Sequence, residues 1–189
     1  MKKIVLKSQV ADQARLEQKL ADIGSEFAPA VWQHERIYWP SDFKPGMNQP
    51  RMILRTEVTD TDQPANYRLF LKRHIEDSGV DYVNSTQVAD YTEMTGIIHQ
   101  LGFRKAAEIS RQRRELRLDA QTVLYLDTIE GVDGSFLKIE IESLNDEPVE
   151  VVRRTLFATL RLLGLETFVT QTYAEMLNGV IQPYYLPEE

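Results

Sequence analysis

The sequence predicts an α+β fold in which about eight antiparallel strands form a closed or nearly closed barrel, a tunnel with helices packed outside it. Two observations predict this fold. Several segments alternate apolar and polar residues with the period of a β-strand, and a capped amphipathic helix occurs twice at a fixed spacing. The 189 residues suit one domain, so we expect a single domain over 1–189 with repeat halves of approximately 1–78 and 79–178.

The strands are predicted from their alternation. It is strictest in three segments, Lys3–Lys7, Tyr67–Lys72 and Leu137–Glu142. Further extended segments are expected at Val31–Trp39, Met52–Val58, Tyr82–Thr86, Ile109–Leu118 and Thr122–Ile129. Antiparallel pairing of these eight segments would produce the sheet.

Three helices are predicted from apolar stripes at helical spacing, and a fourth, shorter helix is expected over Thr172–Leu177. The stripes are Leu16, Leu20 and Ile23; Met94, Ile97, Ile98 and Leu101; and Val149, Val152, Leu156, Leu160 and Leu163. Asp12 and Asp90 precede the first two helices as N-cap residues, and Gly24, Gly102 and Gly164 follow the three helices as stop signals.

The first two helices are related in sequence. Gln9–Asp12 reads QVAD, and the same four letters recur at Gln87–Asp90, an offset of 87 − 9 = 78. The same offset relates the apolar stripes and the glycine stops. An internal duplication accounts for this pattern, and two independent helices with similar caps are the alternative.

Two segments are predicted to lack helix. The stretch Pro40–Pro50 contains three prolines and a glycine and is predicted to be an extended hairpin loop. The tail Gln182–Glu189 begins with a proline-containing stretch that either packs along the barrel or contacts a partner. The sequence does not decide between these two roles.

Composition excludes several classes of protein. The net charge is 22 − 29 = −7, which disfavours general nucleic-acid binding, and the absence of cysteine excludes disulfides and thiolate zinc sites. Neither a secretory signal nor an apolar run long enough to span a membrane is present, so we expect a cytoplasmic protein. The three histidines lack the spacing of metal ligands.

The charged residues occupy alternate positions of the predicted strands. On the last strand, for example, Lys138, Glu140 and Glu142 alternate with apolar residues. An antiparallel strand with one wet face would produce the same pattern. However, three amphipathic helices need apolar strand faces outside the barrel, so the polar rows are expected to face inward. The predicted interior residues are Arg55, Lys72, Arg111, Arg113, Asp127, Glu140 and Glu142.

Such an interior is suited to a polyphosphate. Clustered arginine and lysine side chains repel one another unless an anion lies between them. Carboxylates beside them favour Mg²⁺ or Mn²⁺, which prefer oxygen ligands and bridge phosphate oxygens. We therefore expect a small phosphorylated ligand, a triphosphate or a nucleotide.

Several motifs resemble those of the CYTH superfamily, the triphosphate-tunnel fold of class IV adenylyl cyclases, thiamine triphosphatases and inorganic triphosphatases. Leu126–Gly131 followed by Phe136–Glu140 is similar to its LDxVxGLGxFxExE signature. Arg111–Arg113 resembles its KxR strand, and Thr172–Leu177 resembles its SYxExL helix. The resemblance extends from Lys3 to Leu177.

The resemblance implies a set of site residues. Phosphate oxygens would be bound by Lys7, Arg55, Lys72, Arg111 and Arg113, and Mg²⁺ or Mn²⁺ would be held by Asp127, Glu140 and Glu142. The implied reaction is hydrolysis of a triphosphate, or its cyclisation in a cyclase.

The sequence also departs from the family pattern. Lys3 and Val5 stand where the first strand of the family has glutamates, and Lys138 aligns with the first glutamate of its ExE motif. Three functions therefore stay open: slow metal-dependent hydrolysis or cyclisation, a non-catalytic module that binds a phosphorylated ligand, and a scaffold with an internally salt-bridged interior. The oligomeric state is open too, a homodimer included.

Overall fold

The computed structural model describes residues 2–42, 49–59, 64–75, 80–143, 148–177 and 183–184. Most of the predicted loop Pro40–Pro50 and most of the tail lie outside these residues. The strands are Lys2–Val10 (β1), Val31–Pro40 (β2), Arg51–Val58 (β3), Asn66–Ile75 (β4), Val80–Val88 (β5), Phe103–Arg117 (β6), Thr122–Ile129 (β7), Ser135–Ser143 (β8), Phe168–Val169 (β9) and Pro183–Tyr184 (β10). The helices are Gln13–Asp22 (α1), Tyr91–Gln100 (α2), Val149–Leu162 (α3) and Tyr173–Leu177 (α4).

Eight of the strands form a closed ring in the order β1-β5-β4-β3-β2-β6-β7-β8. The ring closes at β1, which pairs with β5 through its first residues and with β8 along its whole length. Every pairing is antiparallel. The predicted eight-stranded antiparallel architecture is therefore confirmed.

The two short strands lie outside the ring. β9 pairs with β1 at Ser8, and β10 pairs with β9. From the tail, Pro183 and Tyr184 thus extend the sheet beyond β9, and the remaining tail residues lie outside the described part of the chain.

β6 is longer than its prediction of Ile109–Leu118. Its first residues, Phe103–Glu108, are mostly polar or small and carry no clear alternation, but they pair with β2 up to Pro40. The register of this pairing shifts between Ile37 and Tyr38. Tertiary pairing therefore determines this part of the strand.

Two apolar clusters join the helices to the outside of the ring. The buried residues of α1 and α3 pack on the outward apolar rows of β1, β7 and β8, among them Leu137 and Ile139. α2 packs through Ile98 on residues of β2, β3 and β5. Within the described residues, no helix is long and apolar enough to cross a membrane.

The predicted caps are present, but three predicted apolar contacts are wrong. Asp12 and Asp90 each accept a hydrogen bond from a backbone N–H of the first helical turn. In contrast, Ile23, Ile97 and Leu101 are 65%, 48% and 61% exposed. Ile23 and Leu101 are the C-cap residues, where the chain leaves its helix and the stripe no longer faces the sheet.

A third cluster lies on the inner face of the ring. Inward apolar residues of β2 to β8, such as Phe70 and Phe136, meet Tyr173 and Met176 of α4. One part of the interior is therefore filled with apolar side chains, and the charged residues occupy the rest.

Candidate functional site

The charged rows face the interior of the ring. The alternation that places Leu137 and Ile139 against α1 and α3 places Lys138 and Glu140 on the opposite, inner face of β8. On β6, the same alternation and the side-chain contacts described below place Arg111 and its neighbours inside. The interior divides into an arginine side, formed by β2, β3, β6 and β7, and a lysine side, formed by β1, β4 and β8.

On the arginine side, Glu35 joins two arginines. Its Oε1 lies 2.6 Å from Nη2 of Arg55 and 2.6 Å from Nη2 of Arg111. Arg55 also reaches Glu57 at 3.1 Å, and Arg111 donates two hydrogen bonds to Oε1 of Gln33, at 3.0 and 2.8 Å. Burial disfavours the charge of Glu35, but Arg111 and Arg55 outweigh it, so the pKa of Glu35 is held well below its ordinary value.

Asp127 forms the second centre of the arginine side. Both of its oxygens accept hydrogen bonds from Arg113 at 2.6 Å, and Oδ2 also accepts one from the Tyr173 hydroxyl at 2.7 Å. The Asp127 side chain is fully buried. Burial alone would raise the pKa of Asp127, but the charge and the hydrogen bonds of Arg113 lower it to about 2.

On the lysine side, Glu140 and Glu142 are paired with ammonium groups. Lys3 Nζ lies 3.1 Å from Glu140 and 3.2 Å from Glu142, and Lys138 also contacts Glu140. Burial opposes the charge of Glu140, but Lys138 and Lys3 prevail and lower its pKa.

Two other lysines make no ion pair with any described residue. Lys7 donates a hydrogen bond to the carbonyl of Gln171 and lies 5.0 Å from the centre of the Tyr173 ring. Lys72 lies 5.9 Å from the centre of the Phe70 ring. Burial, reinforced by the charge of Lys138, lowers the pKa of both lysines to about 7.

Lys7 and Lys72 also have cationic neighbours. Lys7 lies directly opposite Lys138 in the β1–β8 pairing, and Lys72 lies opposite Arg51 in the β3–β4 pairing. The Nε of Arg51 is buried and has no hydrogen-bond partner within the described part of the chain. Described carboxylates attract both lysines, Asp81 and Glu140 at Lys72 and Asp81 and Glu175 at Lys7, but burial and Lys138 still lower both pKa values. The positive charge of the lysine side is therefore only partly compensated.

The sequence-predicted phosphate-binding residues therefore divide into two groups. Arg55, Arg111 and Arg113 form ion pairs with carboxylates, whereas Lys7 and Lys72 form none within the described part of the chain. No ligand tests either group, so their role in phosphate binding stays a prediction.

The predicted metal ligands do not form one group. Val123, not Asp127, lies opposite Glu140, and Asp127 is four residues further along β7, roughly 13 Å at strand spacing. Asp127 is also bound to Arg113, while Glu140 and Glu142 are bound to lysines. In the described ranges, no group of three or more histidine and acidic residues could hold a metal. In this arrangement the carboxylates do not fit Mg²⁺ or Mn²⁺, and metal binding stays a prediction.

Among the described interior residues that sequence reasoning missed are Gln33, Glu35, Arg51 and Tyr173. Gln33 and Glu35 lie on β2, where their alternation with Ile37 would have shown a polar inner face. Tyr173 lies in the predicted short helix, and Arg51 begins the same inner row as Arg55. Strand alternation and the predicted short helix indicated where these residues lie, but the sequence did not show which side chains they bind.

Comparison with known proteins agrees with this architecture. The CYTH domain model matches residues 1–173. The PH1819 protein of Pyrococcus horikoshii superposes with a TM-score of 0.79 at 19% identity, covering 93% of this chain and 98% of that one. A Vibrio parahaemolyticus protein named as a candidate adenylate cyclase has a TM-score of 0.78 at 14% identity, covering 94% and 98%.

A third structure comes from a plant. HpAC1 of Hippeastrum, named as a candidate adenylyl cyclase that reveals a dominant triphosphatase activity, has a TM-score of 0.60 at 16% identity, with 94% of each chain covered. At these identities the three structures show the fold alone. No curated protein matches the sequence significantly.

Proposed function

The chain belongs to the CYTH domain family, and we propose that its tunnel binds a phosphorylated anion of the triphosphate class. The observation that carries this proposal is the lysine side. Lys7 and Lys72 form no ion pair with a described carboxylate, and burial together with the nearby charge of Lys138 lowers the pKa of both to about 7. An anion between them would remove the repulsion and favour their protonated forms.

A chain of phosphates matches the spread of these charges. The three lysines come from β8, β1 and β4, so they line one side of the interior across several strands rather than forming a single contact. A triphosphate carries several negative charges along its length, and each phosphate group can meet a different ammonium group. The proposal assigns phosphate contacts to Lys7, Lys72 and Lys138.

The arginines have a supporting role in this proposal. Arg111 and Arg113 donate through Nε and Nη2 to Gln33, Glu35 and Asp127, which fixes the planes of their guanidinium groups. Their Nη1 atoms take no part in these hydrogen bonds, and the proposal assigns them contacts with phosphate oxygens. Fixed donors of this kind lose little conformational entropy on binding.

Metal-dependent hydrolysis is the second candidate function. The triphosphatase activity named for HpAC1 favours it, as does the family membership. The ion pairs of Asp127, Glu140 and Glu142 favour binding without catalysis, because these carboxylates already hold cationic side chains. Cyclisation would also require a nucleobase site, and no residue described above identifies one.

Titration calorimetry tests the proposed binding. Tripolyphosphate, ATP and thiamine triphosphate are titrated into the protein at increasing NaCl concentrations, and Lys72→Met is compared with Lys105→Met, an exposed lysine near the start of β6. We expect affinity to fall with salt, and the Lys72→Met change to weaken binding by about tenfold, or roughly 1.4 kcal/mol. The Lys105→Met variant should bind like the unmodified protein.

Absence of binding by all three compounds at low salt would refute the proposal. Phosphate release from the same compounds, measured with and without Mg²⁺ or Mn²⁺, separates the two candidate functions. Rapid release that depends on the metal would establish hydrolysis in place of simple binding.

A further inference from the structure

The lysine side contains two ammonium groups that bind the same carboxylate. Lys3 Nζ lies 3.1 Å from Oε2 of Glu140, and Lys138 contacts the other oxygen, Oε1. Both oxygens of Glu140 are therefore engaged by cationic side chains. Lys3 also bridges to Glu142 at 3.2 Å.

The pairing of β1 with β8 places these lysines and carboxylates together on the inner face. Lys3, Val5 and Lys7 of β1 lie directly opposite Glu142, Glu140 and Lys138 of β8. All six side chains point into the interior, so Glu140 has Lys138 two residues away on its own strand and Lys3 and Lys7 diagonally across on β1, on either side of Val5. A divalent cation approaching Glu140 would have to displace two ammonium groups and remain beside them, with like-charge repulsion throughout.

We propose that the tunnel binds the metal-free form of its phosphorylated ligand, with Lys3 and Lys138 supplying the positive charge that a divalent cation would otherwise supply. This inference rests on the proposed function. Glu140 then acts as a positioning residue, since it holds the two ammonium groups on the inner face through its ion pairs.

We therefore expect Mg²⁺ to weaken the binding of the phosphorylated ligand. Mg²⁺ in solution coordinates the oxygens of a triphosphate and reduces its negative charge. A tunnel that recognises the free anion through ammonium groups therefore loses affinity when Mg²⁺ is added. A tunnel that uses a metal bridge gains affinity instead.

Calorimetry with tripolyphosphate in EDTA and in excess MgCl₂ tests this inference with the unmodified protein. We expect binding in EDTA that is several-fold tighter than in MgCl₂. A titration of MgCl₂ or MnCl₂ alone should produce no binding heat. Tighter binding with Mg²⁺, or a metal site detected without tripolyphosphate, would overturn the inference while leaving the proposed function intact. No binding in either buffer would instead refute the proposed function.

A charge-reversal variant strengthens the test. The Lys3→Glu, Lys138→Glu double variant should lose most of its tripolyphosphate binding in EDTA, by about tenfold or more, and should gain Mg²⁺ binding in the absence of tripolyphosphate. The control is Arg104→Glu with Lys105→Glu, which changes the net charge equally at exposed positions of β6. Equal losses in both double variants would overturn the inference, because net charge alone would then explain the effect.

Discussion

The two sides of the tunnel interior use their positive charges differently. On the arginine side, each arginine of the predicted site meets a carboxylate at 2.6 Å: Arg55 and Arg111 share Glu35, and Arg113 holds Asp127. On the lysine side, Lys7 and Lys72 meet no carboxylate of the described residues, and their strongest charged neighbour is Lys138. Ion pairs engage every predicted arginine of the first side, but on the second side they engage Lys3 and Lys138 and, within the described residues, neither Lys7 nor Lys72.

The chemistry of the two side chains accounts for this difference. A guanidinium group offers a rigid fork that fits both oxygens of a carboxylate, as Arg113 does with Asp127. An ammonium group is a compact charge whose pKa shifts readily when it is buried, as with Lys7 and Lys72. The arginine side is therefore suited to hold the ring together, and the lysine side to receive an anion.

The largest effect is expected from breaking the arginine side at Asp127. The Asp127→Asn change leaves Arg113 buried without its counter-charge, so we expect the free energy of unfolding to fall by about 3–5 kcal/mol. Urea denaturation measures this loss. The matched control is Glu142→Gln, because Glu142 is 31% exposed and paired with Lys3, and its loss should be below about 1 kcal/mol. Similar losses in both variants would remove the distinction between the two sides.

A smaller effect of opposite sign is expected on the lysine side. The Lys72→Met change removes a buried charge that forms no ion pair with a described carboxylate and retains an apolar stem of similar length. We expect the free energy of unfolding of the ligand-free protein to stay the same or rise by about 1 kcal/mol. Urea denaturation under the same conditions measures this change in the free energy of unfolding. A loss of stability larger than that of Glu142→Gln would show that Lys72 is structurally paired after all.

A third expected effect is a dependence of stability on pH. Because the pKa of Lys7 and Lys72 is about 7 in the folded protein, against 10.5 ordinarily, the unfolded chain binds more protons between these values. The free energy of unfolding of the ligand-free protein should therefore rise with pH above 7, by no more than about 1 kcal/mol per lysine between pH 7 and pH 8.

Denaturation curves at a series of pH values measure this rise. The Lys72→Met variant should show a shallower rise, and saturating tripolyphosphate should flatten it further by stabilising the protonated lysines. A stability that falls from pH 7 to pH 8 would contradict the assignment of uncompensated charge to the lysine side.

Much of the fold follows from the sequence because local patterns report local structure. The eight ring strands lie where alternation predicts them, and Thr122–Ile129 has the same limits in both. The caps at Asp12 and Asp90 also match their prediction. The exposure of Ile97 did not follow, because helical spacing shows which residues share a face but not how much of that face a sheet will cover.

The site was predictable only as a set of inward residues. Alternation and the demand of the helices for apolar surface were sufficient to place Arg111, Arg113 and Glu140 inside the ring. The separation of Asp127 from Glu140 was not predictable, since the family resemblance assigned both to one metal site and no local pattern gives the register between their strands. The strand register places them four residues apart instead.

The sequence by itself determined the fold class, the helix caps, the family resemblance and the sign of the charges in the interior. Only the tertiary structure decided which charges neutralise one another. Lys3 meets Glu140 and Arg55 meets Glu35 because neighbouring strands take a particular register, across separations of 137 and 20 residues. Ion pairing depends on distances of a few ångströms between such distant segments, and no local pattern in the chain encodes those distances.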